Sequence, residues 1–133
     1  MRKEQWPDLM IAEVDRHANR PFKYGDSDCL MFALDVVREM TGTDLMKGQR
    51  SYTTLPGAIK KLKKLGYSDI AEALADKLEE IPPAMAGRGD VGVIDGDGYK
   101  VAVVFTGPHA VGKDVNGVTS VSRSAVSRAF RVP

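Results

Sequence analysis

The stretch Pro21-Phe22-Lys23-Tyr24-Gly25-Asp26-Ser27-Asp28-Cys29-Leu30-Met31-Phe32 decides how the rest of the chain is read. Pro21, Gly25 and the alternating aromatics mark residues 20–27 as a loop. Ser27 and Asp28 both suit a helix N-cap, because a short side chain can accept a first-turn backbone N–H. From there the apolar residues fall at Cys29, Phe32, Ala33, Val36, Val37 and Met40, a 3.6-residue stripe. Thr41-Gly42-Thr43 ends it. The stretch predicts a loop, a cap, and an amphipathic helix with a cysteine in its first turn.

Cys29 is the one cysteine among 133 residues. It can close no intrachain disulfide and build no multi-thiolate zinc site. Its position supports two readings. Unpaired N–H groups and the helix dipole favour a thiolate there. The same residue lies on the apolar stripe, where a free cysteine packs as a small hydrophobe. Asp26 and Asp28 would oppose a thiolate.

Working outward, a first helix is predicted from about Pro7 to Asn19, with Met10, Val14 and His17 on one face. A third spans Leu55 to Leu65, with Ile59, Leu62 and Leu65 inward and Gly66 as its C-cap. Ser68 caps a fourth that runs to about Leu78, and Pro82-Pro83 stops it. Val91–Ile94 and Tyr99–Phe105 then read as strands, joined by the hairpin signal Asp95-Gly96-Asp97-Gly98. Further short strands fit residues 117–122 and 129–132. Helices first and strands afterwards predict an α+β fold: about four N-terminal helices and a small antiparallel sheet, in one domain over residues 1–133.

Composition narrows the function classes. The chain is 43% hydrophobic and 28% charged, ordinary for a globular domain large enough to fold without a disulfide or metal. A net charge of +1 gives no global electrostatic case for nucleic acid or anionic membrane. The longest apolar run, Val101 to Phe105, is far too short to span a bilayer. No apolar h-region follows Arg2 and Lys3, so a signal peptide is not expected. The expected location is the cytoplasm or the particle the protein joins.

The quoted run resembles the cysteine motif of the NlpC/P60 superfamily of papain-like cell-wall endopeptidases. The Asp28-Cys29 step after an aromatic-rich loop, with Tyr24 in that loop, is its centre. Gly89-Asp90-Val91 looks like the Gly-Asp entry to that family's first core strand. The order of motifs is closer still to an uncharacterised phage and prophage branch found among tail genes. Phe22-x-x-Gly25-x-x-Asp28-Cys29 is followed by Thr41-Gly42-Thr43-Asp44, Tyr52, Gly57-Ala58, the Gly-Asp strand, Gly117-Val118 and Phe130-Arg131-Val132. The resemblance implies a papain-like core with Cys29 as nucleophile. It departs at one place. In the peptidases a histidine begins the second core strand and acts as base toward the cysteine; here that position is Lys100. A protonated lysine cannot accept a thiol proton.

Two histidines remain. His109, beside Pro108, is read as an exposed loop residue that would become the base only if its loop folded back to Cys29. His17 is read as a boundary residue between helix face and solvent. Other signals are weaker. Gly107 to Asp114 nearly matches a P-loop, but Asp114 replaces the magnesium-binding hydroxyl and no helix start follows. Lys60, Lys61, Lys63 and Lys64 read as the solvated face of a helix, not a nucleic-acid patch. Asp95 and Asp97 are too few for a calcium loop. No cofactor is expected. Two functions follow. The favoured one is a tail-associated structural or assembly protein that has lost catalysis, with phage tail or tail-tip proteins as partners. The alternative is an active cysteine peptidase or amidase on peptidoglycan peptides, with Cys29 as nucleophile and His109 as base.

Overall fold

A computed structural model describes residues 1–133. Four helices come first: α1 (Trp6–Ala18), α2 (Cys29–Thr41), α3 (Leu55–Lys64) and α4 (Ile70–Lys77). Six strands follow: β1 (Glu79–Ile81), β2 (Val91–Asp95), β3 (Lys100–Phe105), β4 (His109–Asp114), β5 (Gly117–Ser122) and β6 (Val126–Arg131). They form one antiparallel sheet in the order β1-β6-β2-β3-β4-β5. The α+β expectation holds.

The core lies between α2 and one face of the sheet. Met31, Phe32, Val36 and Met40 meet Val91, Val93, Ala102, Val104 and Phe130 there. A smaller cluster on the other face joins Val103, Phe105, Ala110, Val126 and Ala129. The helix stripe predicts one buried face for α2, but Leu30, Leu34 and Asp35 are buried as well. The reason is that α2 runs between α1 and the sheet, so both of its sides are covered.

Three local expectations are corrected. In α3 only Leu62 is buried; Ile59 and Leu65 are exposed. The helix is strongly amphipathic, yet the rest of its apolar face is only partly covered, with Ala58 packed against the core and Ile59 exposed. Residues 109–114 form β4, not a loop, because they pair with all of β5 through the two-residue turn Val115-Asn116. β1 escapes the sequence pattern altogether, since only Ile81 of its three residues is buried.

The Gly89-Asp90 step serves the frame. Gly89 has φ +92°, and a side chain there would collide with Arg2 and Trp6. The buried Asp90 carboxylate accepts N–H groups from Arg2 at 2.9 Å, Val132 at 2.9 Å and Gly87 at 2.8 Å. Arg2 also donates to the Val132 carbonyl at 3.1 Å and lies 4.3 Å above the Trp6 ring. One carboxylate therefore ties both chain ends to the entry of β2. Asp90→Ala removes the acceptor for three donors, and a cost of about 3 kcal/mol is expected for breaking such a group. A urea unfolding midpoint unchanged from wild type would refute this role.

Candidate functional site

Cys29 opens α2 as expected. Asp28 is the N-cap, and its Oδ1 accepts the Met31 N–H at 2.8 Å. Its Oδ2 accepts the Gly25 N–H at 2.9 Å and the Tyr52 hydroxyl at 2.6 Å. Gly25 has φ +81°, and any side chain there would strike the carbonyl oxygen of Tyr52. The glycine thus lets the loop before α2 press against the segment that carries Tyr52. Burial and the Asp28 charge hold the Tyr52 hydroxyl protonated, so it remains a donor to that carboxylate.

The sulfur meets the sheet at Ala102. Strands β3 and β4 pair only at Val104–Val111 and Phe105–Ala110, then separate. The Ala102 N–H is not claimed by pairing with β4, and it counts among the backbone groups that favour a Cys29 thiolate. Cys29 is half-buried and not sealed from solvent. This N–H and those of Leu30 and Cys29 itself favour a thiolate, but desolvation outweighs them and the Asp28 charge adds to it. The thiol is pushed up to about 11. Helix-start stabilisation loses here to desolvation.

Cys29 lies in the floor of a cleft of about 620 Å³. Tyr24, Tyr52 and Met46 line it beside the cysteine, and Leu55, Ala58 and Ile59 of α3 form one wall. The facing wall is the β2–β3 hairpin with Tyr99 and Lys100. Lys100 thus stands on the cysteine side, two residues before Ala102 on the same strand. Its ammonium is held by Asp95, the residue opposite it in the β2–β3 register. That hydrogen bond raises the lysine further above its ordinary range. It stays a cation and cannot serve as a base.

The remaining candidates separate from this cleft. Gly89 and Asp90 belong to the clasp on the chain ends. His109 starts β4 opposite Thr106 and Ser122 and is exposed. It lies four residues along β4 from the position facing Ala102, about 13 Å at the usual strand rise. It is not among the residues that line the cleft.

His17 corrects its expectation most sharply, for it is completely buried. Its Nδ1 lies 2.7 Å from the Ser27 hydroxyl and its Nε2 2.9 Å from Asp35. Ser27, His17 and Asp35 make a hydrogen-bonded chain of the kind that activates a serine, but Ser27 is sealed from solvent and cannot meet a substrate. Glu13 completes a buried trio with ligand atoms within 4.8 Å of one another. Arginines already supply the positive charge: Arg50 bonds Asp35 at 2.7 Å, Arg20 reaches His17 at 2.9 Å, and Arg16 lies 3.1 Å from Glu13. The trio fits an ion-pair network better than a metal centre. Lys113, also buried, donates to the carbonyls of His17 and Arg20 and ties β4 to the end of α1. Burial and the nearby Arg20 lower its pKa. Nothing in the periodicity of residues 109–114 signals a buried lysine.

Two measurements check this account. Cys29 alkylation should rise steeply toward pH 11, with a thiolate fraction of about 10⁻⁴ at pH 7. A rate already level at pH 7 would contradict the raised thiol pKa. The same shift makes the neutral thiol favour the folded state fully below pH 9, a contribution lost as pH rises through about 11. His17→Ala strips Ser27 and Asp35 of their shared partner and should cost about 3 kcal/mol of stability in denaturant titration.

The sequence and fold were compared with known proteins. No curated protein matches the sequence. Among solved structures, the crystal structure of the NlpC/p60 domain of the peptidoglycan hydrolase SagA superposes with a TM-score of 0.60 at 17% identity. The match covers 94% of this chain and 97% of that one. The likeness establishes an NlpC/P60-like fold. The profile of a family described as a domain of unknown function, DUF6950, matches residues 1–132, and the chain belongs to that family.

Proposed function

We propose that this protein is a non-hydrolytic NlpC/P60-like module that binds a peptide in the Cys29 cleft and serves a structural or assembly role in a phage or prophage tail. The observation that carries the loss of catalysis is the cleft itself. Cys29 and Lys100 both line it, the lysine ammonium is held by Asp95, and no histidine is among the lining residues. Nucleophilic catalysis by a thiol needs a partner able to take its proton.

Binding is the function that such a cleft retains. Its volume is in the range of small-molecule and peptide sites. Its floor is apolar and aromatic, while Lys61 and Lys63 on one side and Asp95 and Asp114 on the other offer charges of both signs. A peptide bearing amine and carboxylate groups, as peptidoglycan peptides do, suits that chemistry. The assignment to a tail rests on the order of sequence motifs from Phe22 to Val132.

The second reading, an active endopeptidase, draws on the position of Cys29 in the first turn of α2 and its place in the cleft. Incubation with muropeptides separates the two. No cleavage product is expected, and Cys29→Ala should bind the same muropeptide within about twofold of wild type, as for a side chain that only fills space. Turnover abolished by Cys29→Ala would overturn the proposal. For the tail role, a host lacking this protein should fail to assemble tails, and Cys29→Ala should restore them.

A further inference from the structure

The two edges of the sheet are finished differently. β1 has three residues, is followed by Pro82-Pro83, and carries Glu79 and Glu80, which pair with Arg131 at 3.0 Å and Arg128 at 2.7 Å. Short length, charge and proline are the usual means of blocking an edge. β5 has none of them. Its six residues, Gly117-Val118-Thr119-Ser120-Val121-Ser122, include no charge and no proline, and its pairing with β4 is unbroken by any bulge.

The direction of its free backbone groups follows from the hairpin. In a two-residue hairpin the closing pair, Asp114 and Gly117, must be the hydrogen-bonded one. Thr119 and Val121 then also bond to β4. Val118, Ser120 and Ser122 therefore turn their N–H and C=O groups outward. Thr119, Ser120 and Ser122 are exposed.

We propose that β5 is a homotypic docking edge, on which a second copy of this chain pairs antiparallel about a two-fold axis at Ser120. The outward positions are symmetric about Ser120, so Val118 of one copy meets Ser122 of the other and Ser120 meets Ser120. Every outward group finds a partner. No like charges face each other, because the strand has none. The two sheets become one continuous sheet, and the bare edges disappear. A second copy fits in length, hydrogen-bond phase and charge at once. This goes beyond the cleft and does not depend on what the cleft binds.

A strand pair of this length lies at the small end of specific interfaces, so a concentration-dependent equilibrium follows. Analytical ultracentrifugation from about 1 to 500 µM should show the 14.5 kDa mass doubling. Ser120→Lys and Ser120→Glu place like charges across the axis, and each alone should remain monomeric with an unchanged thermal midpoint. Mixed in equal amounts they should dimerise. A wild-type protein that stays monomeric throughout overturns the proposal. So does a Ser120→Lys variant that dimerises like wild type, or a mixture that stays monomeric while wild type dimerises.

Discussion

The site rests on one carboxylate. Asp28 caps α2 through Met31, fixes the loop through Gly25 and fastens the Tyr52 segment through its hydroxyl. Remove these three bonds and the cysteine loses the floor on which it sits, since loop, helix start and cleft lining all converge there. The same negative charge stands next to the sulfur and works against a thiolate. What builds the site therefore also raises the thiol pKa. In a catalytic arrangement a nearby imidazole would have to offset this charge and the burial together. Here the nearest candidate on the strand is Lys100, whose positive charge is taken up by Asp95.

Behind the cleft, the buried polar layer holds the same loop from the other side. Ser27 is bound to His17, His17 to Asp35, and Asp35 to Arg50, which also reaches Asp44 at 3.3 Å. Arg50 lies two residues before Tyr52, so this layer and the Asp28 hub share one segment. Charges this deep are tolerated only because each has a partner. They give the Cys29 region a fixed geometry that apolar packing alone would not specify.

Much of this was legible in the sequence where local chemistry dictates local structure. The Asp28 cap, the α2 stripe, the Gly42 stop and the β2–β3 hairpin were all readable because each depends on residues close in the chain. Gly25 was readable as a loop glycine, though its contact with Tyr52 was not. What escaped depends on residues far apart. His17 is buried because α1 packs on α2, which its own helix pattern cannot reveal. Lys113 interrupts the apolar pattern of β4, so that strand looked like a loop; only the end of α1, about a hundred residues away in sequence, supplies its two carbonyls. Ile59 and Leu65 have the right spacing for a core face, but spacing does not say whether anything lies opposite. In α3 it is the cleft that lies opposite Ile59. Of the site itself, the cysteine and the lysine at the strand position were visible. The unclaimed Ala102 N–H was not, because it arises from two strands parting.

The clasp at Asp90 has an architectural consequence. Arg2 and Val132 are hydrogen-bonded to each other as well as to the same carboxylate, so the chain enters and leaves the fold at one point. A domain with its ends joined in this way behaves like a bead on a closed ring. It can be threaded into a surface loop of another polypeptide with little stretching of its host. Its original ends can equally be linked and new ones opened elsewhere, and the exposed turn at Val115-Asn116 offers a place for the cut.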